Sequence, residues 1–368
     1  MRKQPKQKSI VFYIGSLSRG GAERVIVNLS AYFRDCGYRV TIVTKEQDSV
    51  EYPVPDGVKR MLADIEGDEI STSRIKNLYR RIAKLRKIFK QVEPDYIVSF
   101  IKKNNFMAIT SAAGLHIPVI VSVRSNPARE YPDKVTRLLA NTLFTRTAGV
   151  VLQTRQAKEF FPVAVQKKSI ILPNSLSEQF LQTEFTGDRK KEIVWVGRMD
   201  ENKNPGMLLG AFENITPKYP DWTLKYVGDG PLLDELKELS QRKDYAGQVC
   251  FTGRVEDVAT VIQSASVFVL TSKQEGMPNA LMEALVSGLA AVSTDCPCGG
   301  PAELIEDGVN GILIPVDDEQ ALTEALDKLL SDEEYRNRLG EEAKKLIEKV
   351  HPDRVNRKWL EYIESRKK

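Results

Sequence analysis

A chain of 368 residues is too long for one ordinary hydrophobic core, and this length predicts two lobes of the usual domain size. Hydrophobic residues make up 42% and charged residues 28%, a balance that is typical of soluble globular proteins and excludes a disordered or fibrous chain. The net charge of +4 is too small to indicate nucleic acid as a partner.

Short runs of β-branched and other apolar residues alternate with helical periodicity along the first half of the chain. The predicted strands are Ile10–Ile14, Val40–Thr44, Tyr96–Phe100, Pro118–Val123, Val150–Gln153 and Ile170–Leu172. Between the first two, apolar residues recur at the spacing of one helical face. Continuous apolar strands separated by helices predict a parallel sheet that is covered on both faces.

Polar and charged residues then interrupt the rhythm, and we place a linker at residues 179–191, between lobes at 1–178 and 192–352. The second set of strands is Ile193–Val196, Leu224–Val227, Val249–Phe251, Val267–Leu270, Ala290–Ser293 and Gly311–Ile314. Residues 353–368 are predicted to form a helix that packs back on the first lobe. Two doubly wound sheets in series place a ligand cleft at the carboxyl ends of their strands.

An acidic motif, Glu275-Gly-Met-Pro-Asn-Ala-Leu-Met-Glu283, directly follows one predicted strand. Pro278 suits the first turn of a helix, and the backbone amides of Asn279 and Ala280 then form an anion site. Glu283 lies where it can accept hydrogen bonds from a ribose diol, and Glu275 where it can meet a polar sugar. The alternative is that both glutamates are ordinary acids at a helix start, where the dipole favours them.

A second motif, Gly197-Arg198-Met-Asp-Glu-Asn-Lys203-Asn204, ends the first strand of the second lobe. Arginine offers a fork of donors and lysine a mobile point charge, so the pair can hold a diphosphate from two sides. The alternative is two solvated cations on a loop. Their place at the carboxyl end of a strand favours the phosphate.

A third motif sets Gly20 and Gly21 at a strand–helix junction, where adjacent glycines allow the backbone to approach phosphate or sugar closely. The motif is not the dinucleotide fingerprint G-x-G-x-x-G, which disfavours a nicotinamide dehydrogenase. The sequence also lacks the P-loop that holds ATP.

In combination these motifs resemble glycosyltransferase family 4, a large group of retaining enzymes with the GT-B fold, over nearly the whole chain. The ordered set Gly-Gly-Ala-Glu, Gly-Arg-x4-Lys-Asn, Gly-Asp-Gly-Pro, Gly-Arg-Val and Glu-x7-Glu is far more specific than any one part. The chain is similar to bacterial members that extend lipid-linked oligosaccharides or polysaccharide repeats. The resemblance implies two Rossmann-like lobes facing across a cleft, with the acceptor on the N-terminal lobe and the nucleotide sugar on the C-terminal lobe.

The resemblance also implies roles for individual residues at the donor. Arg198 and Lys203 would hold the donor diphosphate and stabilise the departing nucleotide. Glu283 would bind the ribose and Glu275 the transferred sugar, a hexose or N-acetylhexosamine linked to UDP. The further donor contacts implied by the family are the Asn279 and Ala280 amides, the Val255 backbone at a base edge, Arg254 over the base, and Gly20 and Gly21 on the phosphates.

The chain departs from the family at one position. Many relatives carry a histidine in the first lobe after the strand that matches Pro118–Val123, and this chain has Arg124 there. A guanidinium cannot accept a proton at ordinary pH. We therefore expect Arg124 and Asn126 to contact an acceptor phosphate or sugar hydroxyl, the alternative being that Arg124 is a structural cation.

The resemblance implies front-face substitution, in which the leaving phosphate deprotonates the acceptor hydroxyl, and a cation-rich site without a positioned base suits that mechanism. No DxD-type metal motif follows a predicted strand, so the sequence predicts no metal and no cofactor beside the nucleotide sugar. Two other classes were weighed: a non-catalytic protein that binds nucleotide sugar or glycan, and another GT-B enzyme such as a sugar-nucleotide epimerase. The first predicts loss of Arg198, Lys203 or Glu275, and the second needs cleft histidines, so the transferase is favoured.

The predicted helix Arg74–Gln91 carries apolar residues on one face and many Arg and Lys residues but no acid. Two interpretations stay open: contact with an anionic membrane surface, and a solvated outer face over a packed stripe, which we favour. Four cysteines are too few for a disulfide framework, and no apolar stretch is long enough to span a membrane. We expect a cytoplasmic protein whose contact with the inner face of the cell membrane is peripheral. Its expected acceptor is a glycan or a polyprenyl-diphosphate-linked glycan.

Overall fold

The structure is a computed structural model that describes residues 7–18, 20–182, 185 and 187–366. The first residues of the predicted N-terminal lobe, three residues of the predicted linker and the last two of the predicted C-terminal helix lie outside this part. The chain divides into two compact units: the first runs to Leu172 and resumes at Val355, and the second spans Pro173–Arg354.

Each unit has one parallel sheet among its described residues. The strands are β1 Ser9–Ile14, β2 Arg39–Thr44, β3 Lys59–Leu62, β4 Tyr96–Phe100, β5 Val119–Ser122, β6 Gly149–Leu152, β7 Ser169–Ile171, β8 Lys190–Val196, β9 Thr223–Val227, β10 Val249–Phe251, β11 Ala265–Leu270, β12 Ala290–Thr294 and β13 Ile312–Ile314. The first sheet has the order β3-β2-β1-β4-β5-β6-β7 and the second β10-β9-β8-β11-β12-β13. Both orders reverse beside the first strand of the unit, and this reversal is where doubly wound sheets bind their ligands.

Helices connect nearly all of these strands. They are α1 Gly21–Asp35, α2 Arg74–Val92, α3 Lys102–Ala112, α4 Pro127–Glu130, α5 Lys134–Thr145, α6 Arg155–Glu159, α7 Val163–Gln166, α8 Gln179–Gln182, α9 Pro205–Ile215, α10 Leu233–Gln241, α11 Val258–Ser264, α12 Asn279–Val286, α13 Gly300–Leu304, α14 Glu319–Ser331, α15 Glu333–Lys344, α16 Ile347–Val350 and α17 Pro352–Glu364. The predicted fold class, two doubly wound α/β lobes, is confirmed.

The central strands are mostly apolar because helices cover both faces of each sheet. All six residues of β1 and all six of β11 are buried. A strand in such a position needs no polar face, and a near-continuous run of β-branched and aromatic residues is the result. This is why the sequence pattern located these strands to within three residues of their observed ends, the largest difference being at the start of β8.

Two details differ from the expectation. The sequence analysis did not predict β3, because Lys59–Leu62 lies at a sheet edge, is at most half-buried and has no apolar run. The predicted linker also lies too late in the chain. The units divide at Leu172 and Pro173, and the charged residues Lys190 and Lys191 already form the exposed start of β8.

The last helix, α17, packs on the first sheet. Trp359 is fully buried and stacks on Phe100 at the end of β4, with ring centroids 5.7 Å apart. The Tyr362 hydroxyl accepts a hydrogen bond from the Val150 backbone N–H at 2.9 Å. A Cβ on Gly149 would overlap the Tyr362 ring, so glycine is required where the helix crosses β6. The segment after the second unit thus completes the core of the first.

Candidate active site

In the second unit, the loops after β8 and β11 are bound to each other at the point where the strand order reverses. The Lys273 backbone N–H donates to Asn202 O at 2.7 Å, and the Asn202 side-chain amide donates to Gln274 O at 3.1 Å. The Thr271 hydroxyl donates to Lys203 O at 2.8 Å. The two motifs that the sequence analysis treated separately therefore form one structural element.

An ion pair between Lys203 Nζ and Glu275 Oε1 lies at the centre of this element. Its side chains are only 25% and 12% exposed, so solvent screens the pair less than a surface pair. The Ser272 hydroxyl donates to the same carboxylate oxygen at 2.7 Å. Asp200 holds the Lys203 backbone, accepting its N–H at 3.0 Å. Lysine and carboxylate are thus both positioned by neighbours.

Arg198 lies on the same loop but is open to solvent. Its side chain is 73% exposed, and its Nε lies 3.7 Å from Asp200 Oδ2. The backbone beside it is held by Met199 N–H, which donates to Asp229 O at 3.0 Å. Gly228 has φ +133°, and a Cβ there would overlap the carbonyl of Gly197, so only glycine allows the two loops to approach. The guanidinium is therefore exposed, on a loop whose backbone is held by hydrogen bonds.

Glu275 is also fixed through its backbone. Its N–H donates to Pro297 O at 2.8 Å, and its carbonyl accepts from Cys298 N–H at 3.0 Å. Burial, assisted by the negative charge of Glu275, raises the pKa of the neighbouring Cys296 thiol to about 12. This thiol therefore stays protonated at neutral pH and does not act as a nucleophile.

Helix α12 begins directly after this loop. Pro278 is its N-cap and not a residue of its first turn, a small correction to the prediction. A proline has no side-chain acceptor, and the first intrahelical bond runs from Met282 N–H to Pro278 O at 3.1 Å. The backbone N–H groups of Asn279 and Ala280 come before the first residue that donates an intrahelical bond. They lie in the first turn, where helix N–H groups favour anions.

Asn174 was missed by the sequence analysis. This residue is 5% exposed, and its amide donates to Asn279 Oδ1 at 2.7 Å and to Met277 O at 3.3 Å. It therefore ties the start of the second unit to the start of α12. A lone asparagine more than a hundred positions away carries no motif, so only the fold reveals the contact. Glu283, one turn into α12, is buried, with 6% of its surface exposed.

Arg254 and Val255 follow β10, the edge strand of the same sheet. Arg254 is 84% exposed, with its Nε 3.5 Å from Asp229 Oδ2, while Val255 is half-buried against the core. The carbonyl of Gly253 accepts the Gly228 N–H at 2.8 Å. Asp229 thus lies between the loops of Arg198 and Arg254, so the structure places both arginines around the carboxyl edge of one sheet.

In the first unit, Gly20 is the N-cap of α1 and Gly21 its first residue. The Gly20 N–H donates to Ser18 O at 2.6 Å. A Cβ on Gly20 would overlap the carboxylate of Glu23, which lies over this junction. Burial raises the pKa of Glu23 above its usual range. The Cβ would meet only the end of that flexible side chain, and the φ of Gly20 is −115°, so this junction does not by itself require glycine.

Arg124 and Asn126 lie at the carboxyl end of β5. Arg124 is half-buried, with its guanidinium carbon 5.8 Å from the centre of the Phe100 ring, and burial lowers its pKa to about 9. Asn126 is the N-cap of the short helix α4, and its side-chain oxygen accepts the Ala128 N–H at 3.0 Å. That oxygen therefore has a structural role. The acceptor contacts expected of both residues stay predictions.

In the described part of the chain, no group of three or more His, Cys, Asp or Glu residues is arranged to hold a metal ion. Likewise, none of the described helices is both long enough and apolar enough to cross a membrane.

Two family models match the chain, one in each unit. The model "Glycosyltransferase Family 4" matches residues 19–165, and "Glycosyl transferases group 1" matches residues 177–346. A similar protein is the Campylobacter jejuni GalNAc-α-(1→4)-GalNAc-α-(1→3)-diNAcBac-PP-undecaprenol α-1,4-N-acetyl-D-galactosaminyltransferase. It is 29% identical over 96% of this chain and 98% of its own length. A second C. jejuni protein, N-acetylgalactosamine-N,N'-diacetylbacillosaminyl-diphospho-undecaprenol 4-α-N-acetylgalactosaminyltransferase, is 24% identical over 95% and 98%.

Among solved structures, Anabaena HepE in complex with UDP is similar in fold. It has a TM-score of 0.81 and 18% sequence identity, over 98% of this chain and 100% of that one. The two sheets and the matched regions define a glycosyltransferase with the GT-B fold. Together the two matched models and the similar proteins support a glycosyltransferase of a family 4-like type, as the motifs indicated.

Proposed function

We propose that this enzyme transfers a hexose or N-acetylhexosamine from a UDP-linked donor to a polyprenyl-diphosphate-linked glycan, with retention of configuration and without a metal ion. In this proposal the second unit binds the donor and the first unit the acceptor. The enzyme works in the cytoplasm, peripherally at the inner face of the cell membrane.

The observation that carries the proposal is the Lys203–Glu275 ion pair at the switch point of the second sheet. Lys203 is held in place by Glu275 and by the backbone of its own loop, and Arg198 lies five positions earlier on that loop. The amides at the start of α12 follow Glu275 directly. Two cations and a helix N-terminus form a suitable site for a diphosphate, and a carboxylate beside them can accept from a sugar hydroxyl.

In the proposed reaction, the bond between the sugar C1 and the β-phosphate oxygen breaks. A bond between C1 and the acceptor oxygen forms on the same face of the sugar. The proton of the acceptor hydroxyl passes to an oxygen of the leaving phosphate. Arg198 and Lys203 stabilise the negative charge that develops on the departing nucleotide, which is the contribution that a divalent metal makes in other transferases.

The two Campylobacter relatives support a lipid-linked acceptor, because their names describe undecaprenyl-diphosphate glycans as the molecules on which they act. The complex of HepE with UDP supports a uridine donor. Arg124 suits an acceptor diphosphate, since a half-buried guanidinium at the carboxyl end of β5 can hold an anion in partial isolation from water.

The donor can be identified by thermal-shift titration against UDP-, GDP- and ADP-sugars. A ligand that binds the folded state stabilises it by mass action, by about 2.7 kcal/mol at a hundredfold excess over its Kd. We expect UDP-GalNAc or a related UDP-sugar to raise the Tm, and transfer to a lipid-linked glycan to persist in excess EDTA. Stabilisation by GDP- or ADP-sugars alone would contradict the uridine assignment, and strict dependence on a divalent metal would contradict the mechanism.

A further inference from the structure

The main chain of Lys203 is held by buried groups on the side that faces the core. Its carbonyl accepts the Thr271 hydroxyl at 2.8 Å, and the Thr271 oxygen accepts the indole N–H of Trp195 at 3.2 Å. Thr271 and Trp195 are both fully buried. The conformation of the chain beyond Lys203 depends on the next residue, Asn204.

Asn204 has an uncommon backbone conformation. Its φ of 46° and ψ of 51° are left-handed, and it precedes Pro205, a place where extended backbone is favoured. Asparagine is a preferred N-cap because its side chain can accept an N–H of the first helical turn. Asn204 is the N-cap of α9, yet its side chain makes no such bond. The side chain is directed instead to another loop.

The partner of Asn204 is Asp317, in the loop after β13. Asn204 Nδ2 donates to Asp317 Oδ1 at 2.8 Å, across 113 positions of the chain. Asp317 is also left-handed, with φ 59°. This conformation is costly for residues other than glycine, and it persists only where the surroundings fix it. Two left-handed residues thus bond to each other directly beside Lys203.

The ordinary roles of an acid at this position do not account for Asp317. Helix α14 is capped by the next residue, Asp318, whose carboxylate accepts the Ala321 N–H at 2.8 Å. Asp317 Oδ1 also lies 3.4 Å from Lys273 Nζ, but these side chains are 54% and 42% exposed, so the pair contributes little to stability. Glycine would occupy the position without strain. The bond to Asn204 is what requires a side chain there.

We propose that Asp317 is a positioning residue for Lys203: its carboxylate holds Asn204, and the held Asn204 fixes the chain from which Lys203 reaches the donor diphosphate. The inference rests on the proposed function, in which Lys203 binds that diphosphate. A lysine ammonium lies at the end of a flexible stem, so its reach depends on where its main chain is held. A small displacement of a binding group is enough to weaken a site strongly.

Four single variants of the full-length protein test the proposal. Asp317→Gly removes the carboxylate and suits the left-handed backbone, whereas Asp317→Asn keeps an acceptor oxygen at the same place. Asn204→Gly removes the other partner of the bond. His116→Gly is the matched control, since His116 is an exposed residue of the first unit that also has a positive φ, 57°. Circular dichroism confirms that each variant is folded.

Hydrogen–deuterium exchange of residues 199–207 measures the position of the loop without any ligand. The Lys203 and Asn204 N–H groups both donate to Asp200 O at 3.1 Å, so loss of the turn exposes them. We expect exchange about tenfold faster in Asp317→Gly, in Asn204→Gly and in their double variant alike, and within about twofold of wild type in Asp317→Asn and His116→Gly. Unchanged exchange in Asp317→Gly, or effects that add in the double variant, would overturn the proposal.

Calorimetric titration with UDP and with UMP, which lacks the diphosphate, measures the consequence for binding. Asp317→Gly should weaken UDP about tenfold and UMP less than about twofold, because only the diphosphate needs Lys203 in place. Asp317→Asn should keep the affinity for UDP within about twofold of wild type. An equal loss for both nucleotides would mean that Asp317 acts on the fold alone, and the positioning role would be refuted.

The two measurements separate this inference from the proposed function. A wild-type protein that binds neither nucleotide loses the uridine assignment, while faster exchange in Asp317→Gly still supports control of the Lys203 loop by Asp317. A wild-type protein that binds UDP, with exchange and affinity both unchanged in Asp317→Gly, keeps the assignment and loses the positioning role.

Discussion

Replacing Lys203 by methionine should destabilise the second unit as well as stop transfer. The substitution removes the cation that pairs with Glu275 but keeps the length of the side chain. Glu275 then retains the Ser272 hydroxyl, at 2.7 Å, but its charge has no counterion in a position that is only 12% exposed. An unpaired carboxylate with so little access to water is costly.

The size of the effect follows from the exposure of the pair. Exposed ion pairs are worth about 0–1 kcal/mol, and breaking a fully buried pair costs about 3–5 kcal/mol. Lys203 and Glu275 are 25% and 12% exposed, between these limits, and we expect a loss of about 2 kcal/mol. For a unit of this size that corresponds to a decrease in Tm of about 4–8 °C.

A double-mutant cycle measures the pair itself. Lys203→Met, Glu275→Gln and the double variant are unfolded in urea, and the coupling energy is the part of the loss that is not additive. Arg198→Ala is the matched control. Its side chain is 73% exposed, so its removal should change the free energy of unfolding by less than about 0.5 kcal/mol while it still lowers transfer strongly.

Two results would refute this reasoning. If the coupling energy between Lys203 and Glu275 is below about 0.3 kcal/mol, the ion pair contributes nothing to the fold. If Lys203→Met and Arg198→Ala both keep near-normal turnover, neither cation holds the donor diphosphate, and the site assignment fails whatever the stability shows.

Two further predictions concern contacts outside this pair. Asn174→Ala should cost about 1–2 kcal/mol and weaken donor binding, because Asn279 loses its partner; unchanged donor affinity in titration would show that Asn174 only stabilises the fold. Hydrogen bonding to Arg60 is the main cause that lowers the pKa of Glu51 from 4.5 to about 2, so its stabilisation is complete above pH 4.5 and is lost as pH falls toward 2. Glu51→Gln should therefore lower the free energy of unfolding of the first unit at pH 7 by about 1 kcal/mol after screening, and the difference from wild type should shrink in acid; a difference independent of pH would contradict this origin.

The sequence alone determined the fold class and the main motifs. The strands that carry the site are β11, which is buried along its whole length, and β8, whose second half is an apolar run that includes the buried residues Ile193 and Trp195. Their loops keep the residues of the motifs close together in sequence. The sequence therefore identified the residues of both motifs, because each motif is a short run of neighbouring positions. They are Arg198, Lys203, Glu275 and the start of α12.

Only the tertiary structure decided which of these residues meet. Lys203 and Glu275 are 72 positions apart, and they contact because β8 and β11 are neighbours in the sheet, an order that no local pattern contains. Asn174 is 105 positions from Asn279 and has no motif at all. Backbone hydrogen bonds and packing over long separations fix these contacts, and each depends on the whole sheet being assembled.

A local sequence pattern also could not show which part of the apolar face of α2 is buried. Periodicity shows that α2 has an apolar face, but it does not show where the protein core under that face ends. The core extends under Leu85 and Phe89 and stops before Ile75, because burial depends on which elements pack nearby. The sequence pattern therefore determined that the apolar face exists, and the fold decided that the apolar residues of its first half are exposed.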